Sequence, residues 1–298
     1  MAPMRAPSNG IEIEYETFGD AADPPLLLVA GLGAQLIAWD VEFCESLVDR
    51  GFFVIRFDNR DTGLSTKVTV DEGFDPTAEI MRVLGGGTPT VPYHLTDMAA
   101  DAVGLLDHLG IDRAHVVGVS MGGMIAQQIA IDHPPRVLSL TSIMSNTGDP
   151  DVGQPDPAVL PVLLQTTPSE REAYVARAVE AGRAVGSPDH FDEARVATQA
   201  AQSFDRSFYP RGMINELLAI VTSGSRTEAL RALHVNTLVI HGDVDPLVAV
   251  SGGERTAEVI PGAELMILEG MGHDVSRYFW PQVIEAITAL VARSTATA

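Results

Sequence analysis

Apolar positions along this chain follow two spacings. Residues 11–17 (IEIEYET) set apolar side chains against acidic ones at every second position, the pattern of a strand with one face in water. Six further runs are apolar almost throughout: 25–30 (PLLLVA), 52–57 (FFVIRF), 114–119 (AHVVGV), 137–143 (VLSLTSI), 236–240 (NTLVI) and 263–268 (AELMIL). A run apolar on both faces predicts a strand covered on both faces, as in a parallel sheet flanked by helices. Between the runs the apolar spacing lengthens to the helical period, over 39–50, 96–109, 121–132, 253–260 and 281–293. Gly51 and Gly110 follow two of these segments, where a left-handed cap is needed. Strand and helix in alternation predict an α/β fold with a mostly parallel, doubly wound sheet.

The alternation breaks between residues 148 and 230. This stretch opens on a Pro/Asp/Gly-rich segment (GDPDVGQPDP) and then turns helical. Ser169 with Glu172 and Ser225 with Glu228 have the spacing of capping boxes, which would start helices there. The division that follows is a core of 1–147 and 231–298, with 148–230 as a helical cap insertion over one end of the sheet. A shorter irregular stretch, 85–93 (GGGTPTVPY), reads as a second loop beside it. The sequence has no internal repeat.

Composition removes several classes of function. The 298 residues carry a formal charge of −21, which repels phosphate backbones and anionic headgroups. Neither nucleic-acid binding nor a basic membrane anchor is expected of such a surface. The single Cys44 rules out an intramolecular disulfide framework and Cys-based metal sites. Residues 1–10 (MAPMRAPSNG) lack the apolar core of a secretory signal, and no stretch has the length of a spanning helix. A cytoplasmic protein is the expectation.

Candidate chemistry centres on Gly118-Val119-Ser120-Met121-Gly122, directly after a buried strand and directly before a helix. The pattern G-x-S-x-G is short enough to arise by chance, and its strand–turn–helix setting makes it informative. A sharp turn there exposes the serine hydroxyl above the sheet, and small residues on either side relieve the crowding. A serine needs a base to become a nucleophile. Among eight histidines His273 is preferred, since it lies on a loop beyond the last strand, in GMGH. His94, in the irregular loop, and His190, in the insertion, are weaker; His108, His115, His133, His234 and His241 fall in or beside structural elements. The base in turn needs a carboxylate. His241-Gly242-Asp243-Val244-Asp245-Pro246 offers two, of which Asp245 lies further out on a turn favoured by Pro246, while Asp243 reads as a loop-stabilising acceptor. Oxyanion donors are expected from the backbone N–H of Met121 and of Leu32, the latter in the turn Gly31-Leu32-Gly33.

These segments, with 57–65 (FDNRDTGLS), resemble the α/β-hydrolase fold family from about Ile11 to the C-terminus. Within it they are similar to the actinobacterial carboxylesterase/lipase group that includes aclacinomycin methylesterase. The resemblance implies an α/β-hydrolase fold and roles for Leu32, Ser120, Met121, Asp245 and His273 that agree with the reading above. It assigns the 58–65 stretch to the scaffold. Ala30 is a departure, since many relatives carry His there.

The function expected is a serine hydrolase of small to medium apolar carboxylic esters, a carboxylesterase or methylesterase, working through an acyl-enzyme with no metal and no organic cofactor. A lactonase, a thioesterase, a C–C bond hydrolase and a cofactor-free perhydrolase would use the same three residues. A binding protein on this scaffold would require them to be broken, and all three are present. Met144, Leu247, Leu160, Leu163 and Leu164 are candidates for the substrate pocket. The sequence leaves the oligomeric state open.

Overall fold

A computed structural model of the chain describes residues 4–70, 73–163 and 165–296. Eight strands form one sheet: β1 (Met4–Ser8), β2 (Ile11–Phe18), β3 (Pro25–Val29), β4 (Phe53–Phe57), β5 (Ala114–Val119), β6 (Val137–Ile143), β7 (Thr237–Gly242) and β8 (Glu264–Leu268). Their order is β1-β2-β4-β3-β5-β6-β7-β8. β3 to β8 run parallel, β2 is antiparallel to β4, and β1 is antiparallel to β2. The chain therefore reverses its direction of travel across the sheet at β3, which has β4 on one side and β5 on the other. Crevices at such a switch point, outside the carboxyl ends of the strands, are where open α/β sheets place their sites.

Helices cover both faces. On one side α1 (Val41–Val48) and α11 (Trp280–Ala296) bury Phe43, Leu47, Ile287 and Leu290 against Leu26, Leu28 and Ile240. On the other, α3 (Leu95–His108), α4 (Met121–Asp132) and α10 (Ser251–Val259) bury Met98, Ile125 and Val259 among Leu27, Ile55 and Val116. Adjacent residues of β3 thus enter opposite cores, which is why its sequence is apolar without alternation. A further helix, α2 (Pro76–Leu84), precedes the irregular residues 85–93. Its start is marked by Asp75, whose side chain accepts from the N–H groups of Thr77 and Ala78, and by Pro76 in the first turn.

The remaining α-helices of the described residues lie between β6 and β7: α5 (Leu160–Leu163), α6 (Arg171–Val185), α7 (Glu193–Arg206), α8 (Pro210–Thr222) and α9 (Thr227–Leu230). α6 and α7 pack together, and α8 packs on α2. Neither capping box forms. α6 begins at Arg171 with no side-chain cap, so Ser169 does not cap it. Ser225 accepts from the Thr227 N–H but spends its hydroxyl proton on Asp149, so α9 starts beyond it. The apolar run of β8 also differs from expectation. As an edge strand it leaves Leu265 and Ile267 exposed.

Candidate active site

The turn from β5 into α4 sets Ser120 at φ 53°, ψ −121°, a backbone region that L residues seldom enter. The neighbouring glycines make that turn possible. A methyl group at Gly118 would lie 2.0 Å from the Gly122 carbonyl oxygen, and one at Gly122 would lie 2.2 Å from that of Val29. The Ser120 N–H donates to the Ile143 carbonyl (2.9 Å), tying the turn to β6. The hydroxyl is left half-exposed at the sheet's carboxyl end.

His273 reaches it from the loop after β8. Its Nε2 stands 3.0 Å from Ser120 Oγ, and its Nδ1 stands 2.7 Å from Asp245 Oδ2. The Asp245 carboxylate is fixed from behind, since its Oδ1 accepts from the N–H groups of Leu247 and Val248, both at 2.9 Å. Burial pushes this carboxyl up. Hydrogen bonds from His241 and His273, the His273 charge and the Val248 N–H outweigh burial and hold it down at about 2. An acceptor on Nδ1 leaves Nε2 free to take a proton from the hydroxyl. Asp243, the other acid of this loop, instead accepts from the Gly270 N–H (2.7 Å) and braces the loop that leads to His273. His241 is a buried structural residue bonded to the Val248 carbonyl (2.8 Å), and His115 is bonded to Ser139 (2.8 Å). His94 is the N-cap of α3, and His190 stacks on Tyr278.

The end of β3 lies beside the end of β5, with Val29 opposite Gly118. This register brings Gly31–Ala34 against Ser120, where a methyl at Gly31 would be 3.4 Å from the serine Cβ. The turn closes through Ala34 N–H to the Gly31 carbonyl (3.1 Å) and has Gly33 at φ 66°, the type II form. No acceptor among the described residues takes the Leu32 N–H or the Met121 N–H. The Met121 side chain is fully buried in the core.

A cavity of about 560 Å³ opens on Ser120 and His273. Leu32, Met144, Leu163 and Leu247 line it, as do Trp39, Phe43 and Trp280 on the sheet side. Leu160 does not, because only the end of the single-turn α5 reaches the wall; Leu164 lies outside the described residues. The sequence reading missed Met213, Ile214 and Leu217 of α8, although their spacing is that of one helix face. It also missed a polar group on the wall: Arg195 donates twice to Asp40, which accepts from Gln199 as well.

The loop of His273 is stitched to the helical stretch. The His273 N–H donates to the Val185 carbonyl (2.6 Å), Gly272 N–H to Ser187 Oγ (3.0 Å), and Ser187 N–H to Asp274 (2.8 Å). Gly272 also packs directly on Gly186, where a methyl would meet the backbone at 2.4 Å. No group of residues able to hold a metal ion occurs among the described residues, and no helix there is long and apolar enough to cross a membrane.

Comparison with known proteins agrees with this architecture. The sequence profile of the alpha/beta hydrolase fold family matches residues 24–276. Rhodomycin D methylesterase of Streptomyces peucetius is 32% identical over 91% of this chain and 92% of its own length. That of Streptomyces sp. strain C5 is 33% identical over 87% of each. Among solved structures, a thermophilic esterase from Thermogutta terrifontis superposes with a TM-score of 0.71, at 22% identity over 99% of both chains. With its sheet order, its serine turn and this match over most of its length, the chain belongs to the alpha/beta hydrolase fold family.

Proposed function

We propose that the protein is a carboxylic ester hydrolase in which Ser120, His273 and Asp245 form the catalytic triad. The observation that carries this reading is the unbroken hydrogen-bonded chain from Asp245 through His273 to Ser120 at the mouth of an apolar cavity. Ser120 Oγ attacks the ester carbonyl as its proton passes to His273 Nε2. The tetrahedral oxyanion is held by the Leu32 and Met121 N–H groups, two donors fixed before the charge develops. His273 returns the proton to the leaving alcohol, and the acyl-enzyme is then hydrolysed by a water that gives its proton to the same nitrogen. Asp245, ionised throughout, keeps the imidazole in the tautomer with Nδ1–H and stabilises the imidazolium.

The cavity lies in the range that holds a drug-sized ligand, roughly 300–1,000 Å³. Its mostly apolar wall suits an ester with one bulky apolar side. The similarity to two proteins named methylesterases favours a methyl ester of a bulky apolar acid. The stretch 148–230 acts as the cap, since α5, α7 and α8 supply the outer wall. The charge of −21 disfavours strongly anionic esters.

The test is hydrolysis of p-nitrophenyl esters from acetate to palmitate, and of methyl esters of polycyclic aromatic acids, by wild type and Ser120→Ala. Saturable turnover that disappears in Ser120→Ala is expected, together with cleavage of the aromatic methyl esters. Activity that survives the substitution would refute the assignment of the nucleophile. Cleavage of a lactone but of no open-chain ester would replace esterase by lactonase.

A further inference from the structure

The side of the oxyanion turn facing away from Ser120 meets an unusual group. Glu216, on α8, is fully buried, yet among the described residues no arginine or lysine forms an ion pair with it. Its Oε2 accepts from the Gly33 N–H (2.7 Å), and its Oε1 is bonded to Thr62 Oγ1 (2.8 Å). Burying a carboxyl with two hydrogen bonds and no counter-ion is costly. Nearby residues of α8 hold the helix firmly in this place. A methyl at Gly212 would lie 2.2 Å from the Asp61 carbonyl oxygen, and Asn215 donates to Asp61 Oδ2 (2.9 Å). Met213, one turn before Glu216, packs on Gly33 itself, where a methyl would meet its Cγ at 3.1 Å.

We propose that Glu216 is a positioning residue for catalysis: by accepting from the Gly33 N–H it anchors the Gly31–Ala34 turn, whose first peptide carries the Leu32 N–H, beside Ser120. This rests on the proposed role of Leu32 as an oxyanion donor. Within a four-residue turn the central peptide has two orientations related by a flip, and the positive φ of Gly33 marks one of them. The orientation is fixed by what the Gly33 N–H donates to, and that acceptor is Glu216. Without it that peptide is free to turn over, changing Leu32 ψ and Gly33 φ, and the turn that carries the Leu32 N–H on its first peptide loses its side-chain tether beside Ser120. Burial also pushes the Glu216 carboxyl up to about 8, against the bonds from Gly33 and Thr62 and the Lys67 charge, with Asp61 adding to the rise. Burial thus favours the uncharged acid, the form that tethers the turn without placing a negative charge beside a developing oxyanion. A glutamine keeps the bond from the Gly33 N–H through its Oε1 and meets Thr62 with its NH2, the hydroxyl then accepting where it donates to Glu216.

The experiment compares wild type, Glu216→Gln, Glu216→Leu and Ser120→Ala. Two readouts are taken at pH 7: kcat and KM for p-nitrophenyl butyrate, and the rate at which a fluorophosphonate probe modifies Ser120. Removal of a single oxyanion donor lowers kcat about 100- to 1,000-fold, so displacement of one is expected to cost roughly 10- to 100-fold. Glu216→Leu should lose this much in kcat and in labelling rate with KM within about threefold, and Glu216→Gln should stay close to wild type. A wild-type kcat and labelling rate in Glu216→Leu would overturn the proposal, as would a loss confined to KM. If Glu216→Leu fails to melt cooperatively, Glu216→Asp, one methylene shorter, takes its place, with the same loss expected and an unchanged kcat overturning the idea. Equal labelling of Ser120→Ala and wild type would instead sink the reading of Ser120, and the proposal with it.

Discussion

Ser120 is held at φ 53°, ψ −121°, and the strain of that conformation can be measured apart from the chemistry of its hydroxyl. Ser120→Ala and Ser120→Gly both remove the hydroxyl and the bond to His273. They differ only in the Cβ, which is the atom that makes this backbone region unfavourable. A residue confined there carries of the order of 1–3 kcal/mol of strain. Glycine relieves it but returns roughly 0.5–1 kcal/mol through the greater freedom of its unfolded chain. It also forfeits a few tenths of a kcal/mol of burial, since this Cβ is only half-buried. The balance leaves Ser120→Gly more stable than Ser120→Ala by about 1 kcal/mol, a shift of roughly 2 °C in Tm for a domain of this size. Thermal and guanidinium unfolding of the two proteins side by side would show it. Equal midpoints, or a more stable alanine protein, would mean that the turn stores no strain and that the glycines at 118 and 122 serve packing alone.

Three further outcomes follow from the structure. Asp245→Asn should lower kcat by about 10⁴-fold with little change in KM, since an amide cannot hold the Nδ1–H tautomer. In the wild type the Asp245 pKa of about 2 lies below its ordinary 3.8, so its contribution to stability is intact above pH 4 and lost as pH falls towards 2; acid unfolding monitored by circular dichroism should find Asp245→Asn less pH-sensitive in that window. Arg206→Met should destabilise the fold by about 3–5 kcal/mol, because it strips the 2.6 Å partner from the fully buried Asp58. A fall in Tm of less than about 3 °C would contradict that.

Local chemistry explains which elements could be read from the sequence. Buried parallel strands announce themselves as apolar runs, and the turn at Ser120 by its glycines, so the parallel sheet and the positions of Ser120, Asp245 and His273 at its carboxyl end were legible. β1 was not. MRAPS has no apolar run and contains a proline, and the strand is held by its antiparallel pairing with β2. α2 carries a start signal in Asp75-Pro76, but its nine residues are too few to display a helical period. β8 misled in the opposite direction, because an apolar run does not reveal that its strand ends the sheet. Glu216 left no trace in the sequence at all. A glutamate on a helix reads as solvent-facing, and only the packing of α8 on the 31–34 turn buries it.

The stitching of residues 185–187 to 272–274 has a consequence for anyone who would exchange the segment between β6 and β7 for that of another hydrolase. The main-chain acceptor for the His273 N–H belongs to that segment, and so does the hydroxyl that receives Gly272. A graft cut at the ends of the two strands would remove part of the scaffolding of the histidine along with the substrate-facing wall. The segment between β6 and β7 is therefore not a detachable module. Any transplanted segment must bring a close-approaching glycine, a carbonyl and a hydroxyl at the right places, or the recipient loses the support of its histidine loop while gaining a new pocket.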